Sequence, residues 1–130
     1  MRRSVGYGLC VAVVVAGVVG AQQTGFVRTV LQDQELSVAD RHGVTTRAEI
    51  DPGISSGRHT HPGEELGYVA EGSAFQVLID GKPPQMLKAG DVFFVPANTV
   101  HGGKNVGSDK VKVIGTYFIE KGKPLSSPAK

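Results

Sequence analysis

Four residues with metal-ligating side chains, His59, His61, Glu65 and His101, limit what this chain can fold into more tightly than any other feature. They fall in two stretches, one from Gly53 to Gly72 and the other from Gly90 to Asn105. Successive side chains on an extended strand point to opposite faces, so His59 and His61 leave the same face. Glu65 keeps that parity if the Pro62-Gly63 bend is absorbed without a change of register. His101 must then arrive from a second strand across the fold. Three imidazoles and a carboxylate form a donor set that borderline divalent metals favour. Local strand geometry combined with one long-range pairing is what the interior of a β-barrel supplies.

The rest of the sequence agrees with a β architecture. Strands are expected at 26–31, 44–50, 66–70, 74–79, 85–88, 92–95 and 110–119. Asp51-Pro52-Gly53, Glu71-Gly72, Asp80-Gly81 and Lys88-Ala89-Gly90-Asp91 carry the turn chemistry between them. Short strands at this spacing, with no helical periodicity after residue 21, predict an all-β sandwich or barrel. In the last strand Lys110 and Lys112 mark the solvent face, so Val113, Gly115, Tyr117 and Ile119 should face inward.

The first stretch reads Gly53, five residues, His59-Thr60-His61, three residues, Glu65, six residues, Gly72. The second reads Gly90, five residues, Pro96-Ala97-Asn98, two residues, His101, three residues, Asn105. Together they resemble the two motifs of the cupin superfamily, G(X)5HXH(X)3,4E(X)6G and G(X)5PXG(X)2H(X)3N. One position departs: Asn98 stands where the family usually has Gly. Asn tolerates positive φ better than other non-glycine residues, so a tight turn survives there.

The resemblance covers residues 43–119 and implies a double-stranded β-helix, or jelly-roll, barrel. It implies one divalent transition metal (Fe, Mn, Ni, Cu or Zn) held by His59, His61, Glu65 and His101. Glu64 is the rival to Glu65, but the family spacing fits Glu65. Glu64 is then expected as a rim or outer-sphere carboxylate and, with Tyr117, as a candidate catalytic group. Tyr117 is expected either to place a phenol near the metal, as acid, base or hydrogen-bond donor, or to be a core aromatic with a satisfied hydroxyl. Arg47 and Gln76 are candidate pocket groups, His42 a solvated loop residue, and Asn105 a loop-closing residue that bonds its own backbone. Such metal sets serve quercetinase-like dioxygenases, while the superfamily also holds isomerases, decarboxylases, lyases and non-enzymatic binders. The expectation is a metal-dependent, dioxygenase-like enzyme on a small oxygenated molecule. The alternatives are a non-catalytic binder of a small ligand or metal chelate, and an isomerase or lyase.

The N-terminus is a separate object. Arg2 and Arg3 precede an uncharged, Val- and Gly-rich run over 4–21 that ends Val19-Gly20-Ala21, the layout of a secretory signal peptide. The run falls short of the ~20 strongly apolar residues of a spanning helix, and its glycines make it a poor anchor. A signal peptide over 1–21, cleavage after Ala21 and a periplasmic or secreted protein without a stable membrane anchor are expected. Two of the 14 Lys+Arg lie in that segment and all 12 Asp+Glu lie beyond it, so the remainder carries twelve of each. With net charge near zero and no basic cluster, nucleic acid is not an expected partner. The single cysteine, Cys10, also lies in the segment, so the mature chain forms no disulfide and must rely on packing.

Removing 21 of the 130 residues leaves 109, enough for one domain. It divides into a lead-in at 22–42 with one strand, the cupin domain at 43–119 and a surface tail at 120–130. Edge strands of a small jelly roll expose unpaired backbone groups, and with the resemblance this makes a homodimer the expected assembly.

Overall fold

The computed structural model describes residues 23–130; the expected signal peptide, Cys10 and the Ala21 cleavage site lie outside the described residues. Within the described residues the regular structure is all β. The strands are β1 (Phe26–Glu35), β2 (Arg41–Ile50), β3 (His59–Thr60), β4 (Glu65–Glu71), β5 (Phe75–Ile79), β6 (Gln85–Leu87), β7 (Val92–Val95), β8 (His101–Asn105), β9 (Val111–Glu120) and β10 (Ser127–Pro128). They form two antiparallel five-stranded sheets, β1-β2-β9-β4-β7 and β10-β3-β8-β5-β6. This is the expected jelly roll.

Strict alternation builds the interior. Val44, Thr46, Ala48 and Ile50 of β2 are buried, as is every second residue of β9 from Val111 to Ile119. Ala48, Ile50, Val69, Val111 and Val113 of one sheet meet Phe75, Val77 and Ile79 of the other in a single apolar cluster. Each fully buried Val or Ile stabilises the fold by roughly 1.5–3 kcal/mol. A smaller cluster of Val44, Tyr117 and Ile119, capped by Leu125, fills the end of the barrel nearest the histidines.

Four sequence expectations are corrected here. The lead-in strand is longer than the expected 26–31. β1 runs to Glu35 and pairs with β2 along its length, with an irregularity between Val30 and Gln32. Its distal half is exposed, so it carries no apolar alternation for a sequence reading to detect. His42 accordingly lies in β2 rather than a loop, with Nδ1 against Asp33 Oδ1. The C-terminal segment is not a free tail either: β10 pairs with β3, Ser127 opposite Thr60 and Pro128 opposite His59. A two-residue edge strand containing Pro gives almost no sequence signal. Arg47 and Gln76 belong to the alternate, outward parity of β2 and β5, and neither lines the central cavity.

Turns place the ligands. Gly53, Gly72 and Gly90, the framework glycines of the two stretches, have positive φ (79°, 118° and 94°), and Asn98 adopts the same region at 57°. Asn98 thus does the work of the missing glycine. Its N–H donates to the His61 carbonyl at 2.8 Å, tying the loop that delivers His101 to the strand end that carries His61. Asn105 closes the opposite end of β8. Its Nδ2 donates to the Ile50 and Asp109 carbonyls (2.9 and 2.7 Å), and its Oδ1 accepts from the Gly107 N–H (3.0 Å).

Candidate metal centre

The site spans the two sheets. His59, on β3, pairs directly with His101, the first residue of β8. His61 follows β3, and Glu65 opens β4 in the other sheet, opposite Tyr117 of β9. Ring centroids of the three histidines are 4.3–4.9 Å apart, and their candidate ligand atoms all lie within 4.8 Å of one another. Two metal–ligand bonds of about 2.0–2.2 Å span at most about 4.4 Å, so the cluster is close to the size one ion requires.

Backbone carbonyls fix the tautomers. His59 Nδ1 donates to Gly57 O (3.0 Å), His61 Nδ1 to Leu125 O (2.6 Å) and His101 Nδ1 to Thr99 O (2.9 Å). A carbonyl only accepts, so in each neutral ring the remaining Nε2 presents a lone pair. Glu65 Oε2 stands 3.1 Å from His101 Nε2 and 3.3 Å from His61 Nε2. His61 Nε2 is buried and makes no hydrogen bond. Acceptors therefore converge on acceptors, an arrangement that is costly unless a cation sits among them. The three histidines could hold a divalent metal ion, with the Glu65 carboxylate beside two of them.

Electrostatics point the same way. Burial holds His59 down at about 4, helped by His101, His61 and the Arg28 cation and opposed by the Gly57 hydrogen bond. The ring thus stays in the neutral, ligating form. Burial pushes the Glu65 carboxyl up, but the adjacent His101 and His61 rings outweigh it and hold the group at about 2. Burial and the adjacent Glu65 push the Tyr117 phenol above the ordinary tyrosine range. Its hydroxyl therefore remains a proton donor, and it donates to Glu65 Oε1 at 3.1 Å. Gly115 permits this placement, since a Cβ there would lie 2.5 Å from the Tyr117 hydroxyl.

The structure brings His59, His61, Glu65, His101 and Tyr117 together. Glu64 lies elsewhere. It is exposed, on the outward parity of the strand that carries Glu65 inward, and does not line the cavity. The expected rim or outer-sphere carboxylate is thus corrected to a surface residue, with its backbone carbonyl accepting from Phe118 N.

Beside the cluster is a cavity of ≈ 40 Å³, room for about three waters. Its walls are largely apolar, with Phe75, Val77, Phe93 and Val113 among them. Arg28 and Thr46 are polar members of the lining that sequence reasoning missed. The Phe26-Val27-Arg28 parity was a usable signal for Arg28. The Leu125 carbonyl that orients His61 had none, because any residue type supplies a carbonyl.

The family model described as "Cupin domain" matches residues 46–117, more than half of the chain. The chain is a cupin. No curated protein matches this cupin in sequence. Among solved structures, it is similar to a protein with a double-stranded β-helix domain from Klebsiella pneumoniae, with TM-score 0.67 and 20% identity over 85% of this chain and 90% of that one. An RmlC-like cupin from Shewanella frigidimarina is 28% identical, with TM-score 0.59, 75% of this chain and 79% of that one covered. An oxalate oxidase in complex with glycolate is 20% identical, with TM-score 0.65; 83% of this cupin is covered but only 57% of the oxidase.

Proposed function

We propose that this cupin is a metal-dependent enzyme of dioxygenase-like type acting on a small oxygenated molecule. The observation that supports the reading is the convergence of three imidazoles, each oriented through Nδ1 by a backbone carbonyl, beside the Glu65 carboxylate. A divalent Fe, Mn, Ni, Cu or Zn ion bound there supplies Lewis acidity and, for Fe or Mn, redox chemistry. The chain does the rest. Gly57, Leu125 and Thr99 hold the imidazoles, and Tyr117 holds Glu65. The Phe75, Val77, Phe93 and Val113 walls keep water from a bound ligand.

A second reading, a non-catalytic binder of a small chelating ligand, is favoured by one observation. Glu65 and Tyr117, the groups beside the cluster that exchange protons most readily, are engaged with each other, and Glu64 is outside. Metal analysis of protein purified without chelators, followed by dioxygen uptake on catechols and small hydroxy acids, separates the readings. About one ion per chain with uptake supports the enzyme. One ion without turnover on any substrate favours the binder, and absence of bound metal sinks both.

Export and self-association belong to the same proposal. Export rests on the basic, apolar and small-residue layout of 1–21. Homodimer formation is supported by the outward apolar residues Leu66, Tyr68, Val92 and Phe94 on adjacent strands β4 and β7. Intact mass of the exported form tests the first, and a sedimentation mass equal to one chain at micromolar concentration overturns the second.

A further inference from the structure

Arg28 is the one arginine among the described residues without a carboxylate partner. Arg41, Arg47 and Arg58 lie against Glu120, Glu49 and Asp80. Arg28 instead sits opposite Ala48 in the β1–β2 register, which turns its side chain toward the cavity it lines. Its Cζ lies 5.5 Å from the centre of the Phe26 ring. Its Nη1 reaches Ser126 Oγ at 3.4 Å, and its Nε is buried with no hydrogen-bond partner. A guanidinium carries five N–H donors, so most of this one's capacity is unspent. Thr46, beside Tyr117 in the same cavity wall, has a buried hydroxyl that makes no well-formed hydrogen bond. Buried polar atoms are ordinarily satisfied, and two orphans in one cavity wall point to an acceptor on the ligand.

Charge narrows the class. Three neutral imidazoles and one carboxylate leave a divalent ion with a net positive charge, and Arg28 adds a second positive centre to the same cavity. Two positive centres in a largely apolar cavity favour an anion and disfavour a neutral molecule of the same shape. The ≈ 40 Å³ of room keeps it small. Planar, bidentate recognition by guanidinium suits a carboxylate or a phosphate, and the small cavity favours the carboxylate.

We infer that Arg28 anchors a carboxylate of the ligand, so that this cupin binds a small carboxylic acid with one end on the guanidinium and an oxygen at the histidine cluster. The inference rests on the metal-centre reading above for the second end only. Ser126, held by the pairing of β10 with β3, sets the guanidinium's direction.

Calorimetric titration of the metal-loaded full-length mature protein with malonate and glycolate, each against its neutral amide, tests this. The acids should bind at one site per chain and the amides at least about tenfold more weakly. Arg28→Met should weaken acid binding at least about tenfold with metal content unchanged, and Arg28→Lys should restore part of it. Arg28→Gln provides a second neutral variant if Arg28→Met is poorly folded. Equal binding of acid and amide, no binding of either acid, or unaltered acid binding in both neutral variants overturns the inference while leaving the metal reading intact. A wild-type protein that takes up no metal overturns the metal reading instead, and acid binding lost in Arg28→Met would still support the anchor.

Discussion

The two ends of β8 hold buried polar groups of opposite kind. Asn105 at one end is fully buried, and both polar atoms of its side chain meet partners of the right sign. His101 at the other end is as well buried, yet its Nε2 faces the Glu65 carboxylate and its neighbour His61 Nε2 has no hydrogen bond. The first arrangement is complete within the chain; in the second, neutral rings turn lone pairs toward a carboxylate, an arrangement that a bound cation would complete. Burial alone therefore does not mark a functional residue. What separates a structural polar residue from a ligating one is whether donors and acceptors balance.

The sharpest way to break this comparison is to exchange the consequences of the two residues. His101→Ala should lower metal affinity by more than about 100-fold, beyond the upper end of what losing an outer partner of a ligand costs. Asn105→Ala should leave metal bound per folded molecule but strand the Ile50 and Asp109 carbonyls and the Gly107 N–H. A stability loss of about 2–4 kcal/mol follows. Metal titration and denaturant unfolding on both variants check the pair. Metal loss in Asn105→Ala at full foldedness would erase the distinction.

Acid should act on the histidine end. His59 stays neutral to about pH 4, whereas in the unfolded chain it protonates near 6.5. As pH falls below 6.5 the unfolded state takes up the proton first, so stability declines until about pH 4. Glu65, at about 2 against an ordinary 4.5, contributes stability that is present above 4.5 and lost as pH falls toward 2. Both groups have the same sign, so the metal-free protein should lose stability continuously on acidification from 6.5. Bound metal competes with protons for the imidazoles, so its affinity should fall over the same range. Thermal melts followed by circular dichroism, with and without metal, check this; maximal stability below pH 5 contradicts it.

The sequence was legible where geometry depends on spacing and illegible where it depends on backbone atoms. The Gly53, Gly72, Gly90 and Asn98 turns could be anticipated because positive φ restricts residue type. Inward parity on β9 followed from Lys110 and Lys112 alone. The long β1–β2 hairpin escaped because its distal part is solvated on both faces, which removes the period-two signal. β10 escaped because two residues carry no pattern, and with it went the Leu125 carbonyl that aims His61. Arg47 and Gln76 were proposed for the pocket because they are polar on strands. Polarity on a half-buried sheet more often marks the solvent face, and that is where both lie.

A smaller effect attaches to Tyr117. Tyr117→Phe keeps the ring against His61, whose centroid is 4.6 Å away, and removes only the donor to Glu65 Oε1. A drop in metal affinity of about tenfold, with a stability loss of about 1 kcal/mol, is expected from a partner that orients a ligand. A large fall in turnover with metal content and affinity unchanged would give the phenol a direct part in the chemistry instead.

The smallest effect sharpens the comparison most, because it sets two glutamates side by side. Glu64 and Glu65 share a charge and a backbone segment, and strand alternation alone sends one to solvent and the other between two imidazoles. Glu64→Gln removes a charge from an exposed position without a salt-bridge partner among the described residues, so stability should change by less than about 0.5 kcal/mol. Metal affinity should stay within about twofold, since a surface charge near the ion is screened by water and salt. Glu65→Gln, in contrast, keeps the shape but removes the negative charge facing His61 and His101, so metal retention should fall sharply. Parallel metal titrations of the two variants decide the matter. Equal losses would mean that the bend at Pro62-Gly63 lets either carboxylate turn inward in solution.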